Sequence, residues 1–316
     1  MATYIVRRLL QAVPLLFVIS IGLFGLLHLI PGGPEQVAFN PRMTPEARHN
    51  MVVTLGLDQP PPIQYVKWLW GMLHFNFGNT YKDGRPVITV ITERLPATLE
   101  LLGGAFLLAL IVAVPLGIIA SVRQYSILDY VFTVLSYLGI CMPVFWFAEI
   151  LVLVFAIQFK LFPTGGMGTE GGTPSVLDGL HHLILPIIVL SFAFIASWSR
   201  YLRSSMLEVL HQDYLRTARA KGLARLRVIV KHAVRNALIP LVTVVALDFG
   251  SIFGGAVITE TIFSWPGLGR LFYDSLSSRD YPVLMAMMVL SALTVVACNL
   301  VADVIYGLLD PRIRYS

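Results

Sequence analysis

Nine lysine and arginine side chains lie between positions 200 and 237: Arg200, Arg203, Arg216, Arg219, Lys221, Arg225, Arg227, Lys231 and Arg235. Only two acids, Glu208 and Asp213, oppose them, and the block contains the run Tyr214-Leu-Arg-Thr-Ala-Arg-Ala-Lys-Gly222. Such a density of cations suits docking on a protein surface, a lipid headgroup layer or a nucleic acid. Covalent chemistry has no comparable constellation. The chain contains no Gly-x-Ser-x-Gly elbow, no His-Glu-x-x-His pair and no Gly-x-x-x-x-Gly-Lys-[Ser/Thr] phosphate loop. His181 and His182 are adjacent, so on a helix they point about 100° apart, and no third ligand is near them in sequence. The two cysteines, Cys141 and Cys298, each sit in an apolar run, with no metal spacing and no disulfide framework. No catalytic or metal-ligating residue is therefore assigned.

The elements that must hold the basic block are apolar. Of 316 residues, 56% are hydrophobic and 13% charged, against about 45–50% and about 25% in soluble domains. A bilayer crossing needs about 20 apolar residues. Six candidates meet this: Leu9 to Ile30, Thr98 to Val122, Tyr130 to Ile157, Leu183 to Trp198, Leu238 to Ile258 and Val283 to Leu308, none holding a lysine or arginine. With the N-terminus inside, 14 of the 23 basic residues fall in the cytoplasmic tails and short connections, and the other nine lie mostly in one long external loop. The positive-inside bias then places both termini in the cytoplasm and accounts for the net charge of +5 without nucleic acid. Arg7-Arg8 before an apolar run also suits a signal peptide, but the run exceeds the usual h-region and no Ala-x-Ala site closes it, so it reads as an uncleaved first span.

Within the block, Leu207, Leu210, Tyr214 and Ala218 form one helical stripe, and Leu226, Ile229, Val230, Ala233, Val234 and Ala237 a second. The two helices meet at Gly222, which supplies the positive φ of a sharp reversal. Arg227, Lys231 and Arg235 recur every four residues along one edge. A DNA-reading helix-turn-helix shares these features, but anchorage in the membrane at both ends keeps the pair out of a major groove. The reading is a docking surface for a cytoplasmic protein, with a lipid-facing basic loop as its alternative.

The external loop 31–97 begins a helix at Thr44-Pro45, and Ile63 to His74 carries an apolar stripe with two tryptophans, an interfacial amphipathic helix. It either caps the spans or meets an extracytoplasmic partner. Pro14, Pro115, Pro143, Pro186 and Pro240 interrupt spans, which requires neighbours to satisfy the freed carbonyls. Asp248, Glu149, Asp303 and His28 are ionisable groups within spans. Asp248, beside Ser251 and the closely spaced Gly250, Gly254 and Gly255, either lines a translocation path or makes an interhelical hydrogen bond.

The run Tyr214–Gly222 resembles the EAA-type loop of permease subunits of binding-protein-dependent ABC importers, in the dipeptide, oligopeptide and nickel subfamily. The likeness covers essentially the whole chain. It includes Arg8-Leu-Leu with Pro14, Pro31-Gly-Gly-Pro34, Leu55-Gly-Leu-Asp-Gln-Pro60, Arg94-Leu-Pro-Ala-Thr-Leu99, Gly250-Ser-Ile-Phe-Gly-Gly255, Glu260-Thr-Ile-Phe-Ser-Trp-Pro-Gly-Leu-Gly269, Arg279-Asp-Tyr-Pro282 and the tail from Asp303 to Arg314. Two departures stand out: Arg216-Thr217-Ala218 occupies the Glu-Ala-Ala position, and Gly33 stands where an acid is usual.

The resemblance implies an all-α membrane protein with six transmembrane helices and the type I ABC importer permease fold. Residues 1–30 would form the N-terminal tail and first span, 31–97 an external loop with amphipathic helices, and 98–316 a five-helix core containing the cytoplasmic coupling hairpin 204–237. It also implies the permease subunit of an ATP-driven importer of peptides, in the plasma (inner) membrane, with nickel chelates, glutathione or sugars as alternative cargoes. The chain itself would bind no cofactor, ATP and Mg being held by two separate ATP-binding subunits. Further partners would be a homologous second permease chain and an external substrate-binding protein. ATPase coupling would fall on Arg216, Thr217, Ala218, Arg219, Lys221, Gly222, Leu223, Arg225, Leu226 and Arg227. Glu260, Trp265, Pro266, Gly267, Gly269 and Arg270 would either contact the binding protein or form a plain connecting loop. Two other classes are a stand-alone secondary transporter, which usually shows more spans and inverted repeats, and an intramembrane hydrolase, which needs a nucleophile with a base.

Overall fold

The computed structural model describes residues 2–29, 44–54, 56–169, 171, 175–249 and 256–309. Pro31-Gly-Gly-Pro34, Ser251, Gly254, Gly255 and the tail beyond Leu309 lie outside the described residues.

Twelve helices account for nearly all of what is described: α1 (Ala2–Leu29), α2 (Pro45–Thr54), α3 (Pro61–Leu73), α4 (Val87–Val122), α5 (Ile127–Cys141), α6 (Val144–Gln158), α7 (Val176–Leu210), α8 (Asp213–Ala220), α9 (Arg225–Phe249), α10 (Val257–Ile262), α11 (Leu268–Ser278) and α12 (Tyr281–Leu309). Among the described residues, α4, α7, α9 and α12 are long and apolar enough to cross a bilayer. The α5–α6 pair makes a fifth crossing if it is one broken span, and α1 contributes a shorter apolar stretch, Leu10–Leu26.

The helices differ from the apolar runs in three places, each with a local cause. The span expected over Tyr130 to Ile157, with Pro143 as an interruption, is bent by 104° between Cys141 and Val144. Pro143 has no N–H to continue the ladder, and its ring drives Met142 into an extended conformation at φ −75°, ψ 122°. Pro14, Pro96, Pro115, Pro186 and Pro240 instead stay inside their helices. At the second site, α4 starts at Val87 rather than Thr98, so Arg94-Leu-Pro-Ala-Thr-Leu99 is helical. The third is α9, which runs without a break from Arg225 to Phe249: the second arm of the basic hairpin and the fifth apolar run are one rod.

α4 and α7 share the most extensive interface, with α5 and α9 also packed on α7 and α12 on both α1 and α9. Small residues allow the close approach, since Ala105, Ala109, Ala113 and Ala196 are all buried. Outward faces are apolar, as a lipid-facing surface must be: Tyr130, Val134 and Leu138 of α5 and Leu107 and Ile111 of α4 are exposed.

Candidate functional site

At one end of the bundle, α7 stops at Leu210, two residues turn the chain, and α8 runs from Asp213 to Ala220. Gly222 then takes φ +77° and α9 begins at Arg225. The glycine reversal expected from sequence is therefore present. A Cβ on Gly222 would meet nothing within 4 Å, so the requirement is the left-handed backbone and not space.

The buried face of this elbow differs from the expected stripes. Leu207 and Leu210 belong to the end of α7, and in α8 Leu215 is fully buried beside Ala218, while Tyr214 is exposed. In α9 the buried positions are Val228, Ala233, Ala237 and Leu241, whereas Leu226 and Val230 are exposed. The cause is a π-helical stretch over Val228–Val234. Its i→i+5 bonding shifts the face by one residue, which a 3.6-residue period does not anticipate.

These buried residues are continuous with the transmembrane core. Leu215, Ala218 and Val228 pack in one cluster with Trp198, Leu202 and Met206 of α7, Phe106, Ala109 and Ala113 of α4, and Ala237 and Leu241 of α9. Asn236 Nδ2 donates to Tyr214 Oη at 2.8 Å, tying the two arms together. Asp129, only 3% exposed, receives both Arg203 Nε at 2.7 Å and Arg203 Nη2 at 2.8 Å, fastening α7 to the start of α5. Arg200 lies over the Tyr137 ring at 4.4 Å. Two of the nine basic residues thus serve contacts within the chain. The other seven, Arg216, Arg219, Lys221, Arg225, Arg227, Lys231 and Arg235, are exposed around Gly222 and along α9. Thr217 and Leu226 are exposed among them, and Leu223 is half-buried.

Of the residues weighed for a path, only Asp248 is described. Trp198 Nε1 donates to its Oδ2 at 2.7 Å, so the interhelical hydrogen bond is present.

The opposite end of the bundle carries a second constellation. Glu260 is fully buried, and its carboxylate accepts from Thr98 Oγ1 at 2.9 Å and from the Arg270 amide at 3.0 Å. Thr98 Oγ1 in turn accepts from the Leu268 amide at 2.7 Å, and Trp265 Nε1 donates to the Ala97 carbonyl at 2.8 Å. Burial pushes the Glu260 carboxyl up from its ordinary range, and the amides of Arg270 and Gly269 and the Thr98 hydroxyl pull it back. A Cβ on Gly267 would collide with the Glu260 carboxylate and the Thr98 hydroxyl, so only glycine lets the turn close over them.

Of the residues expected either to contact a binding protein or to form a plain connecting loop, Glu260, Trp265, Gly267 and Gly269 are buried, locking the 256–270 segment onto α4. Ser264 is exposed, and Pro266 and Arg270 are partly so. Sequence reading missed Ala97 and Thr98 as the other half of the lock, although both lie in the quoted run Arg94–Leu99. Among the described residues no cluster of three or more histidine, cysteine or acidic groups could hold a metal.

Two family models match this architecture. Residues 113–315 match the binding-protein-dependent transport system inner membrane component, and residues 1–102 match the N-terminal membrane component of the same transport systems. The chain is 45% identical over 316 residues to the oligopeptide transport system permease protein AppB of Bacillus subtilis. It is 39% identical over 338 residues to the dipeptide transport system permease protein DppB of Escherichia coli and 40% identical over 319 residues to a putative peptide permease protein of Brucella suis. All three alignments cover 100% of both chains.

Proposed function

The chain belongs to the family of binding-protein-dependent transport system inner membrane components, and from that membership we propose that it is the permease of an ATP-driven importer of dipeptides or oligopeptides. It is a multi-pass inner membrane protein and is not itself catalytic. The cargo reading rests on the oligopeptide and dipeptide permeases to which it is similar over their full lengths. Six spans are proposed, with α1 as the first and α5–α6 as one broken third, and both termini cytoplasmic by the charge bias. ATP and Mg would be held by two partner ATPases, a related permease would complete the path, and an external binding protein would deliver substrate.

The observation that carries the mechanism is the elbow at Gly222: exposed, ringed by cations, and rooted in the core of α4, α7 and α9. An ATPase gripping Arg216 to Arg227 would press on a body with few internal joints, because Leu215, Ala218 and Val228 move with the transmembrane core. ATP need only favour one arrangement of the paired ATPases by differential binding. The elbow passes that difference to the spans as a tilt, exchanging inward-open for outward-open access. Asp248, Ser251, Gly254 and Gly255 remain the proposed path residues of α9 and its continuation. A groove of about 520 Å³ beside α7, lined by Ser197, Arg200, Ser204 and Glu208, suits its cytoplasmic mouth.

The test is Gly222→Arg in cells carrying the complete transporter. The variant is expected to reach the membrane at normal levels with uptake of labelled dipeptide abolished. Uptake at the unmodified rate would overturn the elbow mechanism.

A further inference from the structure

The stretch of α7 nearest the elbow has two unlike faces. Trp198, Leu202 and Met206 are fully buried in the core shared with α4 and α9. Ser197, Arg200, Tyr201, Ser204 and Glu208 fall at i, i+3, i+4, i+7 and i+11, one polar stripe along the other side of the helix. All five line the groove of about 520 Å³, which Ile140 of α5 and Pro240 of α9 wall at its flanks. A hollow of that size falls among small-molecule sites, about 300–1,000 Å³.

The stripe carries two opposite charges, and they stand apart. Arg200 and Glu208 are both exposed, and the eight residues of helix between them make a separation of about 12 Å along the axis. Among the described residues, no hydrogen bond or ion pair engages the guanidinium or the Glu208 carboxylate. Arg200 rests on the Tyr137 ring at 4.4 Å, which steadies the guanidinium and leaves its in-plane N–H donors for a carboxylate.

A free peptide supplies the complement of each charge, since its carboxylate suits the Arg200 fork and its ammonium suits Glu208. Length then selects. An extended chain spans at most about 3.3–3.6 Å per residue, so four residues reach about 13 Å and two reach only about 7 Å. Between the charges, Tyr201 and Ser204 offer hydroxyls, which can bond any peptide backbone and so do not read its side chains.

We infer that this groove is a cargo subsite for peptides of three or four residues, with the terminal carboxylate on Arg200 and the terminal ammonium on Glu208. The inference rests on the peptide reading above and adds to it a length and a polarity. The amino end then points toward the elbow.

The complete transporter with its binding protein is reconstituted in vesicles, and ATP-driven uptake of labelled tetra-alanine and di-alanine is compared for the unmodified chain, Arg200→Gln, Glu208→Gln and Arg200→Lys. Both uptakes are read in the same vesicles with the same binding protein, so the amount of assembled transporter and the selectivity of that protein cancel. Each glutamine substitution removes one charge-assisted contact and should lower the tetrapeptide-to-dipeptide uptake ratio about tenfold. The dipeptide suffers less because it reaches one charge at a time and keeps the other. Arg200→Lys, which retains the charge, should recover most of the ratio. An unchanged ratio in either glutamine variant overturns the proposal. So does loss of the second permease from either purified variant, which would make this face a junction between chains. Failure of the unmodified transporter to import both peptides would instead remove the cargo reading, and the inference with it.

Discussion

The Gly222 elbow and the segment from Ala256 to Asp280 are both short links between long helices, and they solve opposite problems. The elbow turns its charges outward and buries only Leu215, Ala218 and Val228, so its polar groups face water or a partner while its root is apolar. In the Ala256–Asp280 segment the Glu260 carboxylate and the Trp265 indole are turned inward and paired with Thr98 and Ala97 of α4. A link that must be grasped keeps its hydrogen-bonding capacity free. One that must hold two helices in register spends that capacity internally, at the risk that any missing partner leaves a buried group unpaired.

The contrast can be broken most forcefully at Trp265. Trp265→Ala should lower the unfolding free energy of the detergent-solubilised protein by about 3–5 kcal/mol and also remove the indole donor from the Ala97 carbonyl. A loss no larger than that of a surface substitution would show that the Ala256–Asp280 segment is not a lock. Leu215→Ala is next, at about 2–5 kcal/mol, and it separates the elbow from its root. ATP hydrolysis by the assembled transporter should then continue with less uptake per ATP, and unchanged coupling would place the lever elsewhere.

Glu260→Ala leaves the Thr98 hydroxyl and the Arg270 amide without their acceptor, at about 1–3 kcal/mol for each group so stranded. Glu260→Gln keeps one carbonyl acceptor and should recover part of the loss in the same thermal measurement. Gly222→Ala meets no steric obstacle and should cost only the left-handed strain, about 1–2 kcal/mol. Gly267→Ala should exceed it because its Cβ meets Glu260 and Thr98, and the reverse order would contradict the packing described. The smallest effect on stability belongs to the charge-reversed pair Arg225→Glu with Arg227→Glu, within about 0.5 kcal/mol for exposed sites. That pair should nevertheless reduce copurification of the ATPase, and undiminished recovery would argue against docking at these residues.

Much of the elbow could be read from the chain because its signals are local. The positive φ at Gly222 follows from a glycine between two amphipathic runs, and the cation density needs no structure to be seen. The register of α9 was not legible, because a π turn over Val228–Val234 is set by how that rod fits against α7 and α8 and not by composition. The resemblance marked Glu260 and Trp265 as binding-protein contacts or parts of a plain connecting loop and gave no partner within the chain for either. Their hydrogen-bond partners, Thr98 and Ala97, stand 162 and 168 positions away in sequence.

The chain by itself determined its solvent, the placement of most apolar runs, the sidedness bias and the glycine elbow. These depend on residue type and on spacing over a few residues, where transfer energies and backbone sterics act. Only the tertiary structure decided that Pro143 bends its helix by 104° while five other prolines stay inside theirs, that Asp248 meets Trp198, and that Glu260 turns inward. Each of those outcomes hangs on which neighbour is at hand to satisfy a freed carbonyl, a carboxylate or an indole, and in a bundle of long helices that neighbour comes from a different part of the chain.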